Sequence, residues 1–178
     1  MELKFDNYSI APIHHKDAWR LCDFVVSNAE RLKDFFPKTL KANLTPTLAE
    51  LFVNQKVKEF QNNDEYLFTV KENTNRTIIG LVFLKELDKA PQQGEFAYCI
   101  SYRYQGKGLS TTCIAKLTDW AFQKVRLNTL QIIVHKKNLA SIRVAEKNGF
   151  VFKKTLEKEH QLYKGDWVNM ELYERYAS

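Results

Sequence analysis

Residues 95–110 read Glu95-Phe96-Ala97-Tyr98-Cys99-Ile100-Ser101-Tyr102-Arg103-Tyr104-Gln105-Gly106-Lys107-Gly108-Leu109-Ser110. The first eight alternate, with Phe96, Tyr98, Ile100 and Tyr102 on one face and Glu95, Ala97, Cys99 and Ser101 on the other, which predicts a strand. A basic glycine loop, 103–108, follows. A helix from Leu109 to Lys124 comes next, with Leu109, Cys113, Ile114, Leu117, Trp120 and Ala121 on its inner face. Glycines between a strand and a helix let backbone N–H groups turn toward a ligand, and a helix N-terminus adds partial positive charge. Such a unit suits a phosphate, and Arg103 and Lys107 bring full charges beside it. A tight turn explains the two glycines equally well. The spacing is neither Gly-x-Gly-x-x-Gly nor Gly-x-x-x-x-Gly-Lys-Ser/Thr, so the common nucleotide loops are excluded.

Outward from this unit the pattern is mixed. Upstream, Tyr8–Pro12 reads as a short strand and Lys16–Val26 as a helix. Thr47-Leu48-Ala49-Glu50 has the form of a capping box, predicting a helix that keeps Leu48, Leu51, Phe52, Val57 and Phe60 on one face and stops at Asn62-Asn63. The basic, aromatic segment from Asn28 to Pro46 fits either a short helix or a mobile loop. Tyr66–Val70 and Thr77–Leu84, joined by Asn73-Thr74-Asn75, predict a hairpin. Downstream come a strand at Thr129–Val134, a helix at Asn138–Asn148 stopped by Gly149, and strands at Val151–His160 and Trp167–Tyr173 meeting at Lys164-Gly165-Asp166. The expected fold is α/β: a mixed, mostly antiparallel sheet of about seven strands flanked by helices.

Bulk properties bound the function. The 178 residues, 44% hydrophobic and 13% aromatic, fit a single domain over 1–178 with a real core. No apolar run approaches a membrane span, and the N-terminus lacks the pattern of a secretory signal, so the expected location is the cytoplasm. Cys22, Cys99 and Cys113 are odd in number and without Cys-x-x-Cys spacing, and His14, His15, His135 and His160 lack ligand spacing. All seven read as structural, and no metal is expected. The net charge of +6 implies affinity for anions, but its cations are interleaved with acids rather than gathered on one element. Nucleic-acid binding is therefore not expected.

A second motif lies one strand beyond the glycine loop. Asn138-Leu139-Ala140-Ser141-Ile142-Arg143-Val144-Ala145-Glu146-Lys147-Asn148-Gly149-Phe150 has polar residues at a helix start and a glycine stop. Asn138 and Ser141 stand three apart and share one side of the first turn; by itself this is an N-cap followed by a surface serine.

Together the two segments resemble the GNAT acetyltransferase superfamily. Its acetyl-CoA loop, Gln/Arg-x-x-Gly-x-Gly/Ala, is matched by Arg103, Gly106 and Gly108. Its next helix, Asn-x-x-Ser/Ala ending in Glu-Lys-x-Gly-Phe, is matched by Asn138, Ser141, Glu146, Lys147, Gly149 and Phe150. Tyr104 to Gly108, Asn138 to Phe150 and the turn Tyr163-Lys164-Gly165-Asp166 are most similar to the Rim-type branch, which acetylates N-terminal amines of ribosomal proteins and other substrates. The resemblance is specific over residues 77–173.

The resemblance implies acetyl-CoA as co-substrate, with its pyrophosphate on backbone amides of Gln105, Gly106, Lys107 and Gly108 and the following turn, Leu109 and Ser110. Pantetheine would pair with the backbone of Cys99, Ile100 and Ser101 and with Asn138, while an N–H near Ile100 polarises the thioester carbonyl. An amine attacks that carbonyl, an oxyanion forms, and CoA thiolate leaves. Many members place a tyrosine acid seven residues after the asparagine; here that residue is Ala145. Ser141 becomes the expected donor to the thiol, or else a small residue giving the cofactor room. Glu95 becomes the expected base through water, or else a solvated strand-end carboxylate. An α-amine, pKa ~8, leaves a substantial neutral fraction near pH 7, whereas a lysine at ~10.4 leaves on the order of a thousandth. A site without a strong base suits the α-amine of a protein. The alternatives are a small amine (polyamine, amino acid or antibiotic), which the basic 28–46 segment disfavours if polycationic, and a non-catalytic acyl-CoA-binding module. A homodimer is compatible with the resemblance.

Overall fold

The computed structural model describes residues 1–178. Eight strands are hydrogen-bonded in the order β1-β2-β3-β4-β5-β6-β8-β7, in keeping with the mixed sheet of about seven strands that the sequence predicts. The chain divides into two compact units, Met1–Phe83 with Tyr98–Gln105, and Leu84–Ala97 with Gly106–Ser178.

In the first unit, the additional strand β1 (Leu3–Phe5) pairs antiparallel with β2 (Tyr8–Pro12), and β2 with β3 (Tyr66–Glu72). At three residues β1 is too short to show a period. Four helices stand between β2 and β3: α1 (Ala18–Ser27), α2 (Ala29–Leu32), α3 (Pro37–Lys41) and α4 (Pro46–Asn62). The segment left open between helix and loop thus holds two short helices. The start of α4 differs from the capping box at Thr47. Pro46 takes the first helical position, where its missing N–H costs nothing, and Thr45 is the cap, its Oγ1 accepting from the Leu48 N–H at 3.2 Å. The buried face of α4 is correspondingly rotated to Ala49, Val53 and Val57, leaving Leu48 and Leu51 exposed.

A buried ion pair ties this unit together. Lys71 Nζ on β3 lies 2.5 Å from Asp17 Oδ1, and Asp17 Oδ2 also accepts the His14 N–H at 3.0 Å. Each charge is desolvated, so the pair specifies one packing more than it adds stability.

β4 (Ile78–Asp88) and β5 (Gln93–Ile100) follow. β5 ends two residues before the predicted limit: Tyr102 lies in a 3-10 turn, Tyr102–Tyr104, and is 49% exposed rather than on the strand's inner face.

In the second unit β5 pairs in parallel with β6 (Thr129–Val134), from Gln93↔Thr129 to Phe96↔Ile132. β6 pairs antiparallel with β8 (Trp167–Tyr176), and β8 with β7 (Val151–Gln161). α5 (Leu109–Trp120) buries Leu109, Cys113, Ile114 and Leu117 as expected, with Thr118 in addition; Trp120 is only half-buried, and the helix passes after it into a π turn over Ala121–Val125. α6 (Leu139–Lys147) is joined to α5 by Asn148, whose Nδ2 donates to the Thr111 carbonyl at 3.2 Å. Gly149 follows with φ 74°, the left-handed stop that the sequence predicts.

Candidate active site

β5 runs directly into the glycine loop, so strand geometry sets where the loop begins. The Ser101 N–H donates to the Ile79 carbonyl on β4 at 2.7 Å. Backbone groups alternate sides along a strand, so those of Cys99 and Ser101 face β4 while those of Tyr98 and Ile100 face the opposite edge. The register with β6 stops at Phe96, and residues 97–100 lie beyond it. The approach to β4 is close: a Cβ on Gly80 would stand 2.3 Å from Ile100 Cδ1 and 2.9 Å from the Cys99 carbonyl oxygen.

Two residues that the sequence reading did not single out hold this strand end. Arg31 Nη1 donates to the Ile100 carbonyl at 2.8 Å, and Asn28 Oδ1 accepts the Tyr102 N–H at 3.2 Å. Asn28 is itself buried and fixed by its Nδ2 donating to the Phe24 carbonyl at 2.8 Å. No local pattern could reveal these contacts, which join residues about seventy positions apart. Burial pushes the Cys99 thiol up to about 12, against downward pulls from a backbone hydrogen bond with Leu81 and, after it, from the Arg31 charge. It is therefore a neutral thiol and no nucleophile at physiological pH.

Gly106 and Gly108 have φ of +74° and +73°, and a Cβ on either would meet nothing within 4 Å. The backbone conformation, not crowding, demands glycine there. Gly108 is the N-cap of α5 and places no side chain over the first N–H groups of that helix. Twelve residues of α5 point their positive dipole end at this open space. Of the predicted cofactor residues, Gln105 and Lys107 are exposed, Ser110 is half-buried, and Leu109 is buried, so Leu109 can contribute only its N–H. Arg103 is exposed and turned onto Tyr102: its Nε donates to the phenol oxygen at 3.0 Å, and its guanidinium stacks on the ring at 5.6 Å. The donors and open space fit the pyrophosphate arm of a coenzyme A thioester.

Asn138 caps α6, its Oδ1 accepting the Ser141 N–H at 3.2 Å. This fulfils the simple N-cap reading, and the Asn138 side chain is exposed. Ser141 is half-buried and Ala145 is fully buried, so the position of the family's tyrosine is closed in this chain. Glu95 sits on β5 opposite Gln131 of β6, with its side chain 13% exposed and its Oε1 3.4 Å from Lys85 Nζ. Burial raises its pKa, Lys85 opposes that shift, and Glu86 and Glu159 add to it. This is the environment of a protonatable carboxyl rather than of a solvated strand end.

The histidines mostly serve local structure. His14 Nδ1 accepts the Lys16 N–H, His15 meets Asn54 Oδ1 at 2.7 Å, and His135 Nδ1 accepts the Lys137 N–H.

β5, unpaired with β6 beyond Phe96, leads into a helix capped by a glycine, with open space before its first N–H groups. Comparison with known proteins gives the class its name. The acetyltransferase (GNAT) domain model matches residues 9–151, and the chain belongs to that family. YdaF of Bacillus subtilis (strain 168), which carries the name of a ribosomal N-acetyltransferase, is 26% identical over 148 residues, 82% of this chain and 79% of that protein. The spermidine N(1)-acetyltransferase of Vibrio cholerae is 32% identical over 94 residues, about half of each chain (53% and 54%). The crystal structure of ribosomal-protein-S5-alanine acetyltransferase from Vibrio fischeri superposes with a TM-score of 0.93, covering 99% of this chain and 96% of that one; its 24% identity speaks to fold alone. The chain is an acetyl-CoA-dependent N-acetyltransferase. No helix is long and apolar enough to cross a membrane.

Proposed function

We propose that residues 1–178 act as one cytoplasmic domain that transfers acetyl from acetyl-CoA to the N-terminal α-amine of a protein. The observation that supports this reading is the extent of the likeness to YdaF, a protein named for ribosomal N-acetylation, 82% of the chain, against 53% for the spermidine enzyme. The polyamine reading stays in the test because the shorter match has the higher identity.

Acetyl-CoA supplies an activated thioester. The N–H groups of residues 105–110 bind its pyrophosphate, and the Asn138 amide and the outward edge of β5 orient its arm; within the expected Cys99–Ser101 stretch that edge is Ile100, since Cys99 and Ser101 turn their backbone groups to β4, and the Ile100 N–H stabilises the oxyanion. Glu95 takes a proton from the attacking amine through water. Ser141 donates a hydrogen bond to the departing sulfur, the role closed to Ala145. A carboxyl with an upward-shifted pKa is a better base than an ordinary glutamate, but still a modest one, which suits an α-amine near 8 rather than a lysine near ~10.4.

CoA release in the presence of acetyl-CoA and a panel of free N-terminal peptides, spermidine and aminoglycosides tests the acceptor. Turnover of peptides is expected; turnover of small amines alone moves the acceptor class. Ser141→Ala is expected to lower kcat by about tenfold or more, while changing acetyl-CoA affinity less. Full activity in that variant removes Ser141 from the chemistry.

A further inference from the structure

The groups that bind acetyl-CoA are indifferent to the acceptor, so acceptor choice must come from elsewhere. The segment between α1 and α4 contains four cations (Arg31, Lys33, Lys38, Lys41) and two acids (Glu30, Asp34). Glu30 is engaged by Lys33 at 2.5 Å. Arg31, Lys38 and Lys41 are exposed. This cationic corner is built against the strand that leads to the glycine loop. Phe36, at the start of α3, stacks on Phe83 of β4 with centroids 6.1 Å apart and planes at 29°. Arg31 donates to the Ile100 carbonyl at 2.8 Å and is close enough to the Cys99 thiol to pull its titration downward. The Ile100 carbonyl belongs to the edge of β5 that faces away from β4. On the reading above, that edge carries the pantetheine arm, so an amine reaching the thioester passes a guanidinium.

We propose that Arg31 determines acceptor specificity, selecting an α-amine whose following residues carry carboxylates and rejecting polyamines. Arg31 spends Nη1 on the carbonyl, and its planar fork still presents donors suited to a carboxylate. Lys38 and Lys41 extend the same sign of charge along α3, and the +6 net charge adds a field that repels a polycation at long range. The inference rests on the proposed placement of acetyl-CoA along the outward edge of β5 at Ile100.

The test uses the full chain, acetyl-CoA, spermidine and two peptides of equal length with the same first residue, one bearing aspartates and the other lysines at positions 2 to 4. The readout is the ratio of kcat/KM between the peptides, which a general loss of activity leaves unchanged. Wild type is expected to favour the acidic peptide by about tenfold or more, given that one exposed charge pair contributes up to about fivefold and several act together. The preference should shrink as ionic strength rises. Arg31→Gln keeps a donor for the Ile100 carbonyl but removes the charge, and should cut the ratio about fivefold. Arg31→Lys keeps the charge and should preserve most of it. A wild-type ratio near one, or one favouring lysines, overturns the proposal. So does a ratio that Arg31→Gln leaves intact, which would make Arg31 a strut for β5. Calorimetry of acetyl-CoA binding separates these failures from failure of the underlying reading. Bound acetyl-CoA with no turnover of either peptide, or with spermidine alone turned over, overturns the N-terminal acceptor itself and this selectivity with it.

Discussion

Glu95 shows how far one residue's environment decides its chemistry. Its side chain is nearly out of solvent, and burial raises its pKa above 4.5, with Lys85 pulling the other way. Because the folded-state pKa is raised, the protonated form is the one the fold prefers. That contribution to stability is full below the unfolded pKa and is lost as pH rises through the folded value. Two consequences are measurable. The acid limb of the kcat/KM profile should lie above the ordinary glutamate value, and Lys85→Met should move it further up. Glu95→Gln should lower kcat by about a hundredfold and abolish that limb, while raising the melting temperature near neutral pH. An unchanged limb in Glu95→Gln would assign the base to another group. The alternation of residues 95–101 put Glu95 and Cys99 on one face from sequence alone. The partner Lys85 and the neighbour Glu159 could not be read that way, since they belong to other strands.

At the scale of elements, the join between β5 and α5 carries the most specific expectation. Gly108 combines a left-handed φ with an uncapped helix start, so a side chain there acts twice. It strains the backbone by about 1–3 kcal/mol and stands where the proposed function puts the pyrophosphate. Gly108→Glu adds a like charge and should weaken acetyl-CoA binding more than tenfold. Gly108→Asn, which tolerates left-handed backbone, should weaken it less. Equal affinities in a binding titration would take the pyrophosphate off this loop. This join, and the capped α6 with its glycine stop, were legible because each is a local signal: turn residues next to a periodic stretch. The corner at α2 and α3 was not, because helices of four and five residues are too short to display a period. The rotation of α4 escaped for a different reason. Leu48 and Leu51 have core-type side chains, yet the helix packs on Ala49, Val53 and Val57, and tertiary packing overrides the hydrophobicity of single residues. The candidate site was therefore half visible: its glycine loop in sequence, and the Asn28 and Arg31 clasp on β5 only in space.

For the molecule as a whole, a charge of +6 and a pI near 9.1 set the terms on which it meets a polyanionic substrate. Acetyl-CoA presents phosphates to a chain that is already self-repelling, so binding should relieve repulsion as well as fill donors. Ligand that binds only the folded chain stabilises it by mass action, about 2.7 kcal/mol at a hundredfold excess over Kd. At roughly 2–4 °C per kcal/mol for a chain of this size, the melting temperature should rise by about 5–10 °C. S-acetylpantetheine shares the thioester and the arm but lacks the nucleotide and its phosphates. If the glycine loop and the net charge drive recognition, that fragment at equal concentration should shift melting by less than about 1 °C, and salt should erode the acetyl-CoA shift. If the outward strand edge at Ile100 dominates instead, the fragment will retain most of the shift and salt will matter little. The two results assign the binding energy to different parts of the chain, and only the first makes the basic character of the whole molecule part of how it captures its co-substrate.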